Sequence, residues 1–283
     1  MAGDVLSLAY SPCPNDTFIF AAWTNGMLAG APPVRAVLDD VETLNEAARE
    51  GRHELTKVSF GAIPYVLDRY RILRSGGALG RGCGPLVVAK PLADGSAPSL
   101  DTFKAHARIA IPGALTTAYL LLRLAHRRPI DVLPMRFDRI VEAVARGEAD
   151  AGLIIHESRF TYRASGLVQV LDLGEWWEAE TGGPIPLGAI LARRDLEPSV
   201  VARVEATIRE SLDYAYAHDA AVAPYVREHA FEMDEAVMRA HIALYVNDYT
   251  RDLGDDGATA VETLFALAAD AGLIAAGTHA EFV

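Results

Sequence analysis

Short apolar runs alternate with amphipathic stretches along most of the chain, a pattern that predicts strands and helices in turn. Residues 5–10 read as a first strand, ending in the turn Ser11-Pro12-Cys13-Pro14-Asn15. Asp16 or Thr17 can cap a helix running to Asn25-Gly26, with Gly26 just past its last turn. Residues 34–38 form a second strand; Asp39 and Asp40 open a helix over 41–50, which Gly51 stops. The rhythm restarts with a strand over 108–111, the loop Pro112-Gly113-Ala114-Leu115 and a helix over 118–126 begun by Thr116 and Thr117. A strand over 132–137, a helix over 138–146 stopped by Gly147, and a strand over 151–155 follow. Alternation of this kind predicts α/β layers on largely parallel sheets. Beyond Arg194 the pattern is helical: Val200, Val204, Ile208 and Leu212 make one buried stripe of a helix over 199–218. Further helices are expected over 219–229, 234–245 and 257–271.

Two apolar runs resemble each other: Gly84-Pro85-Leu86-Val87-Val88-Ala89-Lys90 and Pro186-Leu187-Gly188-Ala189-Ile190-Leu191-Ala192-Arg193. They lie about 100 residues apart, close to the length of one domain. As paired crossing strands they would bracket an inserted domain and leave a cleft between two lobes; coincidence is the other reading. The expected division is residues 1–88 with 194–283 in one lobe and 89–193 in the other, within a total length of 283.

Composition narrows the function. Half the residues are hydrophobic, enough to build sizeable cores, and the formal charge is −12. An acidic chain is a poor general nucleic-acid binder, and its densest basic cluster, Arg123, His126, Arg127 and Arg128, reads as a solvated helix end. The two cysteines, Cys13 and Cys83, imply neither a disulfide framework nor a metal site. No signal-like leader or membrane-length apolar run occurs, so a cytoplasmic protein without membrane partners is expected, a monomer or weak homodimer.

The phosphate-loop, zinc-protease, Cys-x-x-Cys and nucleophile-elbow motifs are missing. The glycine-rich stretch 76–84 lacks a dinucleotide fingerprint and reads as a flexible approach to the first crossing strand; no nucleotide cofactor is expected. His156 stands directly after the strand 151–155, where open α/β sheets gather their ligands, and a histidine there suits a general base. The plainer alternative is a hydrogen-bonded strand-end histidine; Glu157 or Arg159 would tune it or bind substrate. Thr116-Thr117-Ala118 opens a helix whose free N–H groups can seat a carboxylate, and Lys57 offers a second contact; capping and a surface lysine are the alternatives. Asn15 and Asp16 suit either capping or the cleft wall, Cys13 reads as structural, and Trp176 and Trp177 as packing aromatics.

The run Ser11-Pro12-Cys13-Pro14-Asn15-Asp16-Thr17-Phe18-Ile19-Phe20 resembles the N-terminal motif of 1,4-dihydroxy-6-naphthoate synthases, which act late in the futalosine route to menaquinone. Asp40-Val41-Glu42-Thr43-Leu44-Asn45, Leu55-Thr56-Lys57-Val58-Ser59, Thr116-Thr117-Ala118-Tyr119 and Ile154-Ile155-His156-Glu157-Ser158-Arg159 extend the likeness in order along the chain. The resemblance implies a two-lobed fold similar to type II periplasmic binding proteins, with an interlobe cleft and two hinge strands. It implies a cofactor-independent lyase that converts cyclic dehypoxanthine futalosine, a small aromatic carboxylate, to 1,4-dihydroxy-6-naphthoate with release of dihydroxyacetone. The family's proton acceptor carries over to His156, and its substrate contacts to Lys57, Val58, Ser59, Thr117 and Ala118. A stretch over 91–107 longer than a minimal connection is the one departure. Two alternatives share this architecture: a non-catalytic carboxylate-binding module, and the related chorismate dehydratase.

Overall fold

A computed structural model describes residues 5–100, 103, 107–126, 128–231 and 234–283. Arg127 of the basic cluster, and residues 101, 102 and 104–106 of the long connection, lie outside these.

The strands are β1 (Leu6–Tyr10), β2 (Val34–Leu38), β3 (Leu55–Ser59), β4 (Tyr70–Ile72), β5 (Ala78–Gly80), β6 (Leu86–Ala89), β7 (Arg108–Ile111), β8 (Asp131–Pro134), β9 (Ala151–Ile154), β10 (Val168–Asp172) and β11 (Ile185–Arg193). Between and after them come α1 (Pro14–Thr24), α2 (Val41–Arg49), α3 (Thr117–Ala125), α4 (Ile140–Arg146), α5 (Ser158–Thr161) and α6 (Leu173–Thr181). The chain ends in α7 (Pro198–Ala217), α8 (Asp219–His229), α9 (Glu235–Tyr245), α10 (Asp248–Arg251) and α11 (Gly254–Asp270).

Local chemistry explains most boundaries. The Asp40 side chain accepts from the Glu42 and Thr43 amides and starts α2, while Gly147, in the left-handed conformation, ends α4. Thr116 caps α3 by accepting from the Tyr119 amide. The first helix departs from expectation: it begins at Pro14, and neither Asp16 nor Thr17 caps it. Proline suits the first helical position because its missing N–H would have no partner there, and the Asp16 carboxylate is engaged elsewhere.

The strands form two mixed sheets, ordered β2-β1-β3-β11-β4 with β5 also on β11, and β10-β6-β9-β7-β8. Within each, three strands run parallel, as the alternation predicts: β2, β1 and β3 in one, β8, β7 and β9 in the other. The sheets are less parallel than expected because β11 runs antiparallel to β3, β4 and β5, and β6 antiparallel to β9 and β10. The glycine-rich stretch is also more ordered than predicted, since β5 lies within it and pairs with β11.

The two similar apolar runs do not pair with each other. The first, β6, belongs to the second sheet and the later one, β11, to the first, the reverse of the expected boundaries. An apolar run shows that a strand is buried, not which sheet edge receives it. The crossings are the segments 81–85 and 173–184, and they touch: the Leu173 amide donates to the Pro85 carbonyl at 3.0 Å. Gly84 packs so closely on Gly174 that a methyl group on it would fall inside the Gly174 backbone. Arg159 braces the same junction, with Nη1 donating to the Gly84 carbonyl at 2.6 Å and Nη2 to Asp172 Oδ2 at 2.7 Å.

Helix α1 is buried from Pro14 to Trp23 and packs on α7 through the predicted stripe, in which Val204, Ile208 and Leu212 are buried. A second core fills the space between β6, β9 and α4. Among the described residues, no helix is long and apolar enough to cross a membrane.

Candidate active site

Parallel strands aim their carboxyl ends in one direction, and here those of both sheets meet at one cavity. Ser11 follows β1, Ser59 ends β3, His156 follows β9 and the loop after β7 leads into Thr116; all four line it. About 690 Å³ of space lies between these residues, part of it open to solvent. Asn15, Lys57, Val58, Thr117 and Ala118 line it as well, so the predicted base and substrate contacts reach one place, whereas Arg159 is spent on the Gly84 carbonyl and Asp172 at the crossing and does not line it.

His156 is the residue with the least ordinary backbone. Its φ of 56° makes it the only non-glycine among the described residues in the left-handed region, a conformation that costs roughly 1–3 kcal/mol and turns its ring off the strand. Phe137 meets the ring edge-on at 4.8 Å between centroids. Nε2 is buried without a hydrogen-bond partner, and burial lowers the imidazole from its usual 6.5 to about 4. A neutral ring with an uncommitted nitrogen is the form a proton acceptor needs.

Lys57 is no surface lysine. Its ammonium is buried, donating to Asp16 Oδ1 at 2.8 Å and to the Gly76 carbonyl at 3.1 Å. Asp16 gathers further donors, from Asn15 Nδ2 on Oδ1 at 2.8 Å and from Ser11 Oγ on Oδ2 at 2.7 Å. An ammonium has three protons, so these two bonds leave one for a ligand.

At α3 the predicted seat is partly taken by the protein itself. The Thr117 hydroxyl donates to the Leu187 carbonyl at 2.6 Å and accepts from the Gly61 amide at 3.1 Å, tying the second sheet's helix to the first sheet. The Thr116 hydroxyl donates to the Gly113 carbonyl at 2.8 Å. Just before the helix, the Leu115 amide donates to Glu42 Oε1 at 3.0 Å, so a carboxylate from α2 occupies the loop's N–H groups. Burial raises the Glu42 carboxyl above its ordinary value, against these hydrogen bonds. What α3 still presents to the cavity is the first-turn backbone at Thr117 and Ala118, whose amides have no intrahelical acceptor.

Val58 and Ser59 are fixed by their strand: Val58 is paired to Ala189, and Asn45 holds Ser59 by accepting from its amide at 2.9 Å.

A family model described as "Menaquinone biosynthesis" matches residues 6–270. The chain belongs to this menaquinone-biosynthesis family. Across 280 residues it is 51% identical to a Thermus thermophilus protein named 1,4-dihydroxy-6-naphthoate synthase, covering 99% of this chain and 100% of that one. A Streptomyces coelicolor protein of the same name is 45% identical, covering 98% and 97%. The fold is that of periplasmic binding proteins: a Candida albicans protein described as exhibiting that generic fold superposes with a TM-score of 0.71 at 13% identity, covering 98% of this chain and 92% of that one.

The site also holds groups that the sequence reading of this family member passed over or left open. Cys13 Sγ, a His156 ring nitrogen and a Glu157 carboxylate oxygen lie within 4.8 Å of one another. That spacing resembles a metal-binding set, but burial and the adjacent Glu157 hold the Cys13 thiol well above its ordinary value, and a neutral thiol is a poor ligand and a poor nucleophile. Tyr245 and Cys83 line the cavity, and burial pushes the Cys83 thiol up to about 12. His241 lies behind them, fully buried. One signal for it was present: Met238, His241 and Tyr245 form the buried face of α9, and a histidine on such a face needs a polar partner.

Proposed function

We propose that this chain is a carbon–carbon lyase of menaquinone biosynthesis that converts cyclic dehypoxanthine futalosine to 1,4-dihydroxy-6-naphthoate, releasing dihydroxyacetone. Near-full-length identity to two relatives of that name supports the reaction. The observation that carries the reading is the meeting of His156, Lys57 and the start of α3 in one cavity between two sheets. The working units are residues 5–80 with 185–283, and residues 86–172, joined at the two crossings.

In this reading the substrate carboxylate lies against the Thr117 and Ala118 amides and takes the remaining Lys57 proton as a hydrogen bond, which supplies local positive potential to an acidic protein. Asn15, Val58, Ser59 and Thr116 shape the wall around it. His156 Nε2 accepts a proton from a hydroxyl of the polyol part. The oxygen left behind becomes a carbonyl as the neighbouring carbon–carbon bond breaks, and that bond's electron pair passes into the ring system, which becomes aromatic. The substrate thus provides its own electron sink. The hydrogen bonds of Thr117 to Leu187 and Gly61 tie the start of α3 to the first sheet, and further closure of the lobes about this tie would exclude water while the proton moves. Such a reaction needs no membrane or nucleic-acid partner and suits the cytoplasm.

Mass spectrometry of purified protein with enzymatically prepared substrate tests this. Formation of 1,4-dihydroxy-6-naphthoate, lost in His156→Ala while binding persists, is the expected result. Tight binding without conversion would leave a carrier or sensor instead, and a different product would move the chain to another reaction.

A further inference from the structure

Helix α9 carries a histidine to which the reaction above gives no part. His241 has no exposed surface, and its Nε2 lies 2.9 Å from Asn15 Oδ1. The direction of that bond follows from its neighbours. Asn15 Nδ2 is committed to Asp16 Oδ1, so the amide turns its oxygen toward His241, and an oxygen only accepts. The His241 proton therefore sits on Nε2. Nδ1 is left as a bare lone pair, buried without a hydrogen-bond partner and 4.0 Å from Glu157 Oε2. The ring lies nearly parallel to that of His156, 6.1 Å away and 21° inclined.

A continuous chain results, running from Lys57 through Asp16 and Asn15 to His241, with three of its four members at the cavity wall. We propose that His241 is a positioning residue for the lyase reaction. Its Nε2–H locks the Asn15 amide in one orientation and thereby aims the Lys57–Asp16 pair at the bound substrate, while its ring stays neutral beside the base. Without that donor, Asn15 is free to turn over, and Asp16 loses one of the two donors on Oδ1. Lys57 then follows the carboxylate rather than the substrate. A charged ring at this place would also oppose the proton uptake by His156. The inference rests on the lyase reading, because it is that reaction which needs Lys57 and His156 in fixed relation.

Two measurements on the full chain test it. In the first, kcat and KM are compared across three replacements. His241→Phe keeps a ring of similar size but has no donor; His241→Gln places an N–H close to the position of Nε2; His241→Asn has an N–H that falls short. The expected order is Gln well above Phe and Asn, with the losses for Phe and Asn reaching up to about 100-fold and falling mainly on kcat. Asn15→Ala combined with His241→Phe should lose no more than Asn15→Ala alone, because His241 acts through Asn15. A packing role predicts the opposite, Phe best and Gln no better than Asn, and that order overturns the proposal. In the second, nitrogen-15 NMR of the wild-type imidazoles should find His241 neutral with its proton on Nε2. A proton on Nδ1, or an imidazolium, overturns it whatever the turnover. Wild-type protein that makes no product would instead overturn the lyase reading, with the NMR result still deciding the hydrogen-bond assignment.

Discussion

Burial of His156 makes the proposed base unusually resistant to acid, and the pH dependence of turnover exposes this. An imidazole at about 4 is about 90% deprotonated at pH 5, whereas an ordinary one at 6.5 is about 3% deprotonated, a difference of roughly 30-fold in competent enzyme. The acid limb of kcat/KM, which reports the free enzyme, should therefore fall near pH 4. Phe137, edge-on to the ring at 4.8 Å, is part of what excludes water, so Phe137→Ala should move that limb upward toward 6.5. The same shift appears in stability with a definite sign. A histidine lowered on folding leaves the unfolded chain to bind the proton first, so its contribution is complete above pH 6.5 and declines as pH drops from 6.5 to 4. Across 2.5 units that decline is about 3 kcal/mol. Initial rates at low substrate across pH 3.5–9, with denaturant melts at the same pH values, make the assay. A wild-type limb centred at 6.5, or one that Phe137→Ala leaves in place, refutes the argument that burial sets the base.

Other consequences are structural. Asp16→Asn leaves the buried Lys57 ammonium facing an amide, and a loss of about 3–5 kcal/mol in denaturant unfolding is expected, partly recovered in Asp16→Asn/Lys57→Met. Gly84→Ala forces a methyl into Gly174 where neither backbone can yield, so it should destabilise by at least about 1–3 kcal/mol and alter interlobe geometry in X-ray scattering. Gly183→Ala, with only Thr181 Oγ1 near, is the silent control on the same crossing. Glu42→Ala removes the acceptor of the Leu115 amide that joins α2 to the start of α3, and scattering should show a more open molecule; an unchanged profile would mean that Glu42 does not hold the lobes together.

Short-range signals were legible in the chain because their causes lie within a few residues. Asp40 caps α2 through amides two and three positions on, and Gly147 ends α4 because it adopts a left-handed turn easily. Strands 34–38 and 108–111 announced themselves by composition, and His156 by its place after an apolar strand. The family motifs likewise named residues that all reach one cavity. Tertiary structure decided what those residues do there. Asp16 looks like a cap in sequence and is instead the partner of Lys57, 41 positions away. The α3 loop looks ready for a ligand's carboxylate, yet Glu42 reaches it across 73 positions. His241 joins Asn15 over 226 positions, and nothing local marks that bond. Caps and periodicities depend on backbone geometry that repeats every few residues. A buried donor, by contrast, takes whichever acceptor the packing of distant elements leaves within 3 Å, and only the folded chain determines which one that is.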